Sequence, residues 1–142
     1  LHLEKTGMVV TIDIGEAYDI HPKNKQEVGA RLARLALADT YGKGKYDIPM
    51  YKSFKIEKGA VILSFNQDII IKGETPTGFA MAGPDMKFYP AHAIVKGDII
   101  TVTSPDVTVP IAVRYGWADN PPCNLYGENG LPLTPFRTDS FE

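Results

Sequence analysis

The sequence predicts an α+β chain: a strand–loop–helix unit of α/β character, followed by a mainly antiparallel, jelly-roll-like β-sandwich. Three observations carry that expectation. Residues 8–14 (MVVTIDI) are β-branched and almost continuously apolar, which suits a strand buried on both faces, as in a parallel sheet. Val28, Leu32, Leu35 and Ala36 then recur at i, i+4, i+7 and i+8, one face of a helix. Beyond Gly42 the pattern changes to period two in short runs separated by turns, the spacing of sandwiches and jelly rolls. The corresponding division is 1–44 for the C-terminal piece of an α/β domain, 45–118 for the sandwich, and 119–142 for an irregular tail rich in Pro, Asn and Gly that packs back on the domains.

Taken in order, Gly15 ends the first strand and a polar loop, 16–23, follows. Pro22 biases His21 toward extended geometry and keeps it out of any helix. Asn24 is a good N-cap, and Glu27 three residues later resembles a capping box. Arg31 and Arg34 lie off the apolar face, with Glu27 able to pair with Arg31 at i, i+4. The helix should stop near Tyr41 and Gly42, where glycine supplies the exit. Residues 43–50 (KGKYDIPM) read as a linker or crossover. Phe54 and Ile56 then alternate with Ser53, Lys55 and Glu57, and a Lys58–Gly59 turn leads into 60–65. Further strands are expected at 69–72, 78–82 and 87–95, then at 99–103 after a turn at Lys96–Gly97–Asp98, and finally at 111–117. With no neighbouring strands of its own, 8–14 would leave a sheet edge unpaired; it should pair with a partner chain or be poorly ordered.

The 142 residues suit one domain, or a small domain with a fragment of another, and 44% hydrophobic content is enough for a core. A net charge of -2 and a pI near 5.9 give no reason to expect nucleic acid or an anionic membrane surface. No apolar run approaches the roughly 18–20 residues of a membrane helix. The N-terminal LHLEKTG lacks a signal-peptide layout. One cysteine, Cys123, excludes an internal disulfide framework and a Cys-rich zinc site. It is as readily an inert small residue as a reactive thiol.

Chemistry points first to the loop after the opening run. A buried strand that delivers Asp19 and His21 just before a helix fits the rule that functional groups gather beyond the carboxyl ends of strands. Histidine titrates near working pH, and a carboxylate can hold its tautomer. The plain alternative is an exposed loop histidine beside a helix-proximal aspartate. His92 reads as a strand-surface residue and His2 as part of a frayable end; neither has a second ligand at metal spacing, so no metal or other cofactor is assigned. Gly42 and Gly44 around Lys43 lack the full phosphate-loop pattern. Tyr115 and Trp117 alternate on a strand in the manner of core residues, while Trp117, Asn120 and Asn124 open an irregular segment of the kind that carries function. Ser53, Ser64, Ser104 and Ser140 lack the glycine-rich surroundings of an activated nucleophile.

The segments DIHPKNKQEVGARLA, AVRYGWADNPPCNLY and GLPLTPFRTD, in that order, resemble the C-terminal part of the sialate O-acetylesterases of the SGNH (GDSL-like) hydrolase superfamily. The resemblance implies a flavodoxin-like α/β/α catalytic domain with β-rich accessory domains. It also implies hydrolysis of acetyl esters on sialic acid hydroxyls through a serine acyl-enzyme, with the base histidine at His21. Superfamily members usually place the triad acid three residues before the histidine, where Tyr18 stands here; Asp19 and, less readily, Asp13 are the substitutes. The serine block and the oxyanion-hole residues of the family lie earlier in the full protein, so the chain is expected to be a C-terminal fragment or one chain of a cleaved enzyme, inactive by itself. Its partners would be an acetylated sialic acid or sialoglycan and the missing N-terminal part of the hydrolase. A periplasmic or secreted location is suggested by the same resemblance. The competing readings are a non-catalytic carbohydrate-binding module and a structural brace that holds the catalytic loop.

Overall fold

The computed structural model describes residues 6–141, so His2 lies outside the described residues. The chain divides after Asp47 into two compact units, close to the boundary expected after residue 44.

In the first unit the helix α1 runs over Lys25–Asp39. Asn24 caps it, its side-chain oxygen accepting from the Glu27 N–H at 3.1 Å. Glu27 does not complete a capping box; its carboxylate accepts from Arg31 Nε at 2.9 Å instead. Gly42, at φ 62°, turns the chain out of the helix, and the Lys43 N–H closes the end on the Leu37 carbonyl at 2.8 Å.

Two expectations for this unit are corrected. Residues 8–14 carry no strand: no ladder partner lies among the unit's described residues, and the chain turns, with the Ile14 N–H donating to the Thr11 carbonyl at 3.1 Å. Strand geometry needs a neighbour for its backbone groups, and here a side chain takes that place. Arg31 Nη1 donates to the Val10 carbonyl at 2.6 Å. Arg31, expected to lie off the buried face, is thus the buried residue of α1, whereas Leu32 and Leu37 are about half exposed.

The second unit is built from ten strands among the described residues: β1 Tyr51–Glu57, β2 Ala60–Phe65, β3 Ile69–Ile71, β4 Phe79–Ala82, β5 Phe88–Pro90, β6 His92–Lys96, β7 Ile99–Thr103, β8 Ala112–Tyr115, β9 Leu125–Gly127 and β10 Phe136–Arg137. They form two four-stranded antiparallel sheets, ordered β1-β2-β7-β6 and β10-β8-β4-β5, with β3 and β9 as a separate pair. The hairpin turns are those the sequence demands. Lys58 and Gly59 both have positive φ, as a two-residue type I′ loop requires, and Gly97 at φ 60° occupies the first loop position between β6 and β7.

One apolar cluster joins the sheets, with Val61, Leu63 and Phe65 of β2 and Ile100 and Val102 of β7 meeting Phe79 and Met81 of β4 and Val113 and Tyr115 of β8. The run at 87–95, expected as one strand, is two. Pro90 ends β5 at the edge of one sheet, where its missing N–H costs no ladder bond, and the chain resumes as β6 in the other. The stretch 119–142 was expected to be irregular. It instead supplies β9 and β10, and Leu125, Leu133 and Phe136 belong to the core.

Candidate functional site

In the first unit the loop before α1 is held by short-range bonds. The Asp19 N–H donates to the Glu16 carbonyl at 3.3 Å, and the Glu16 carboxylate pairs with Lys23 Nζ at 3.1 Å. Asp19 accepts from the backbone N–H of His21 at 2.8 Å, so its carboxylate shapes the turn that presents the histidine. His21 is exposed and Asp19 half-buried; Tyr18 and Ile20 on either side of Asp19 are almost fully exposed. Asp13, the other candidate acid, is bound to Arg31 through both carboxylate oxygens, at 2.7 and 2.8 Å, with both side chains buried. Those bonds raise the Arg31 pKa well above its ordinary value, although burial opposes them. Sequence reasoning missed this bidentate pair, because nothing in the spacing joins residue 13 to residue 31.

None of the four serines is bonded to a histidine among the described residues. Ser53 and Ser64 share a hydroxyl–hydroxyl bond of 2.7 Å across β1 and β2, and Ser104 donates to the Pro90 carbonyl at 2.8 Å. His92 is an exposed residue of β6. Among the described residues no three of His, Cys, Asp and Glu gather as a metal site would require, and no helix is long and apolar enough to cross a membrane.

In the second unit a cleft of about 480 Å³ lies on the sheet that contains β4, β5 and β8. Register explains its shape. Ala80 of β4 pairs with Pro90 of β5 and with Arg114 of β8, and residues paired in this way share one face of the sheet. The small Ala80 and Gly78 leave a depression between Phe88 and Pro90 on one side and Trp117 and Asn120 on the other. Gly78 is required here: it sits at φ 90°, and a Cβ would meet the Cys123 sulfur at 2.9 Å.

Arg114 lies with its guanidinium 4.0 Å from the Phe88 ring centre and donates through Nε and Nη2 to Asp139 at 2.9 and 2.7 Å. The Asp139 carboxyl is held below the usual carboxylate range by Arg114, against the opposing effect of burial. Arg137 stacks on Trp117 at 5.5 Å. The structure therefore brings Trp117 and Asn120 together in one cleft. It places Asn124 beside them in sequence but with other work: its amide donates to the carbonyls of Lys72 and Thr75 and accepts from the Thr77 N–H, bracing that loop. Burial pushes the Cys123 thiol up, away from reactivity. Phe88 and Arg114 were absent from the sequence-derived site; only the pairing of β4 with β5 and β8 makes them neighbours of Trp117.

No protein-family model matches the chain, and no curated protein does. Among solved structures, a carbohydrate acetylesterase from Xanthomonas citri matches with a TM-score of 0.89 and 42% sequence identity over 94% of this chain and 32% of that one. The chain spans about a third of the length of that enzyme. The similarity is thus to a segment of a carbohydrate esterase, and it takes in nearly the whole of the chain.

Proposed function

We propose that the chain is the C-terminal portion of a carbohydrate esterase that hydrolyses O-acetyl esters of sialic acids by a serine–histidine mechanism. The observation that carries the esterase reading is the 42% identity with a carbohydrate acetylesterase over 94% of the chain; the sialate substrate rests on the resemblance of the three segments named above. His21 acts as general base, presented on an exposed loop where it can meet a nucleophile supplied by another part of the protein. Asp19 orders that loop and is the acid nearest in sequence; Asp13 is committed to Arg31. Trp117 and Asn120 contact the glycan, while Asn124 acts by bracing the neighbouring loop. A hydrolase domain of the flavodoxin-like class supplies the serine and the oxyanion hole.

The test is acetyl release from an acetylated sialoside by the full-length protein and by His21→Ala. Loss of the base should lower kcat by at least about a hundredfold; activity retained within a few-fold would remove His21 from the mechanism. The same assay on acetylated neutral glycans decides the sugar. A second reading, a carbohydrate-binding module without catalytic part, is favoured by one observation: the aromatic cleft lies wholly within the β unit. It predicts glycan binding by the chain and no hydrolysis by its parent.

A further inference from the structure

The cleft of the β unit has a recognisable chemistry. Its size lies within the range of roughly 300–1,000 Å³ typical of small-molecule sites. Two aromatic side chains border it: the half-exposed Trp117, of the sort on which the C–H-rich face of a pyranose ring packs, and the partly buried Phe88, one face of which carries the Arg114 guanidinium. Polar groups stand at the same depression. The exposed Asn120 offers amide donors and an acceptor. Arg114 spends Nε and Nη2 on Asp139, which leaves Nη1 as a donor.

The charge balance narrows the ligand. The Arg114 guanidinium is already neutralised by a carboxylate whose side chain is 1% exposed, so the donor it offers suits a neutral hydroxyl or ring oxygen. A carboxylated sugar would have to compete with Asp139 for the same cation.

We propose that this cleft is a binding subsite for a neutral pyranose residue of a glycan chain, formed entirely by the β unit and independent of the histidine loop. The class of ligand, a glycan, rests on the carbohydrate reading above; the site and its preference for a neutral sugar rest on Trp117, Phe88, Asn120 and the Arg114–Asp139 pair.

Trp117 is the single tryptophan of the chain, so its emission reports on the surroundings of this one side chain. The 142-residue chain is titrated with hexasaccharides of glucose, mannose and xylose, and with 3′-sialyllactose. At least one neutral hexasaccharide should change the emission saturably, with a Kd of about 0.1–10 mM, more tightly than the sialylated sugar. By calorimetry, Trp117→Ala should weaken that binding about tenfold or more, and Asn120→Ala, an exposed position that leaves the fold intact, about fivefold. His21→Ala should bind as the unaltered chain does, whether or not the parent protein releases acetyl groups; binding with no hydrolysis in the parent would sink the esterase reading and leave the subsite standing. Silence toward all three neutral sugars, a response to the sialylated sugar alone, or undiminished binding by both cleft variants would overturn the proposal.

Discussion

Arg31 shows how a single residue can reverse the reading of a helix. Helical periodicity assigns the buried face to Val28, Leu32, Leu35 and Ala36, and by that rule a charged residue between them faces water. The structure buries the arginine, with its side chain 3% exposed, because Asp13, Glu27 and the Val10 carbonyl together take up its donors. No sequence signal reports a partner eighteen positions away, so this feature was not legible. A 15-residue helix with half-exposed leucines is marginal by itself, and the buried pair is what ties it to the preceding chain. Arg31→Met should therefore cost the first unit about 3–5 kcal/mol and strip hydrogen-exchange protection from the amides of α1. Arg31→Lys should recover only part of it, since an ammonium cannot span both carboxylate oxygens and the carbonyl. A Met variant with unchanged exchange would show the pair to be incidental. The position of residue 21 on a loop just before the helix, by contrast, was legible, because Pro22 and the N-cap Asn24 fix where the loop ends and the helix begins.

At the scale of elements, strands bounded by glycine turns were read well: β1, β2 and β7 fall where alternation and the Lys58–Gly59 and Lys96–Gly97 turns place them. The failures share a cause. Whether an apolar run becomes a strand depends on a neighbour, and whether one run is one strand or two depends on which sheet accepts each half, as at Pro90. The segment after β10 was hardest to read, since it is held by side chains and not by a ladder alone. Arg114 of β8 grips Asp139, and the Thr138 hydroxyl accepts from the Val113 N–H at 2.9 Å. This connection carries a pH dependence. Asp139 is held below its ordinary pKa, so the stability it confers is complete above the unfolded value of about 3.9 and is lost as pH falls through the lower folded value. Asp139→Asn should cost about 1.5–3 kcal/mol at neutral pH. In urea unfolding the gap from the unaltered chain should close as the solution is acidified; a gap that stays constant with pH would mean that charge plays no part.

For the whole molecule, the change of period near residue 44 lies close to where the chain divides into two compact units, after Asp47, whereas no sequence signal joined the last residues to the second unit. Phe136 gathers an aromatic cluster of the β unit: its ring stacks on Tyr51 at 4.8 Å and lies 5.7 and 5.9 Å from Phe65 and Tyr115. Three parts of the sequence, the β1–β2 hairpin, β8 and β10, thus meet at one side chain, and Phe136→Ala should destabilise the unit by about 3–5 kcal/mol, read as a fall in the midpoint of denaturant unfolding at unchanged slope. A variant within about 0.5 kcal/mol of the parent would show that the aromatic cluster does not depend on Phe136. Phe136 also bears on when the β unit can close during synthesis. The β1–β2 hairpin is complete by residue 65, but the aromatic cluster that closes the sandwich waits for residue 136 to leave the ribosome. Until then the AVILSF strand lacks part of its apolar cover, so a chain halted between residues 65 and 136 offers an unshielded β segment to intermolecular pairing.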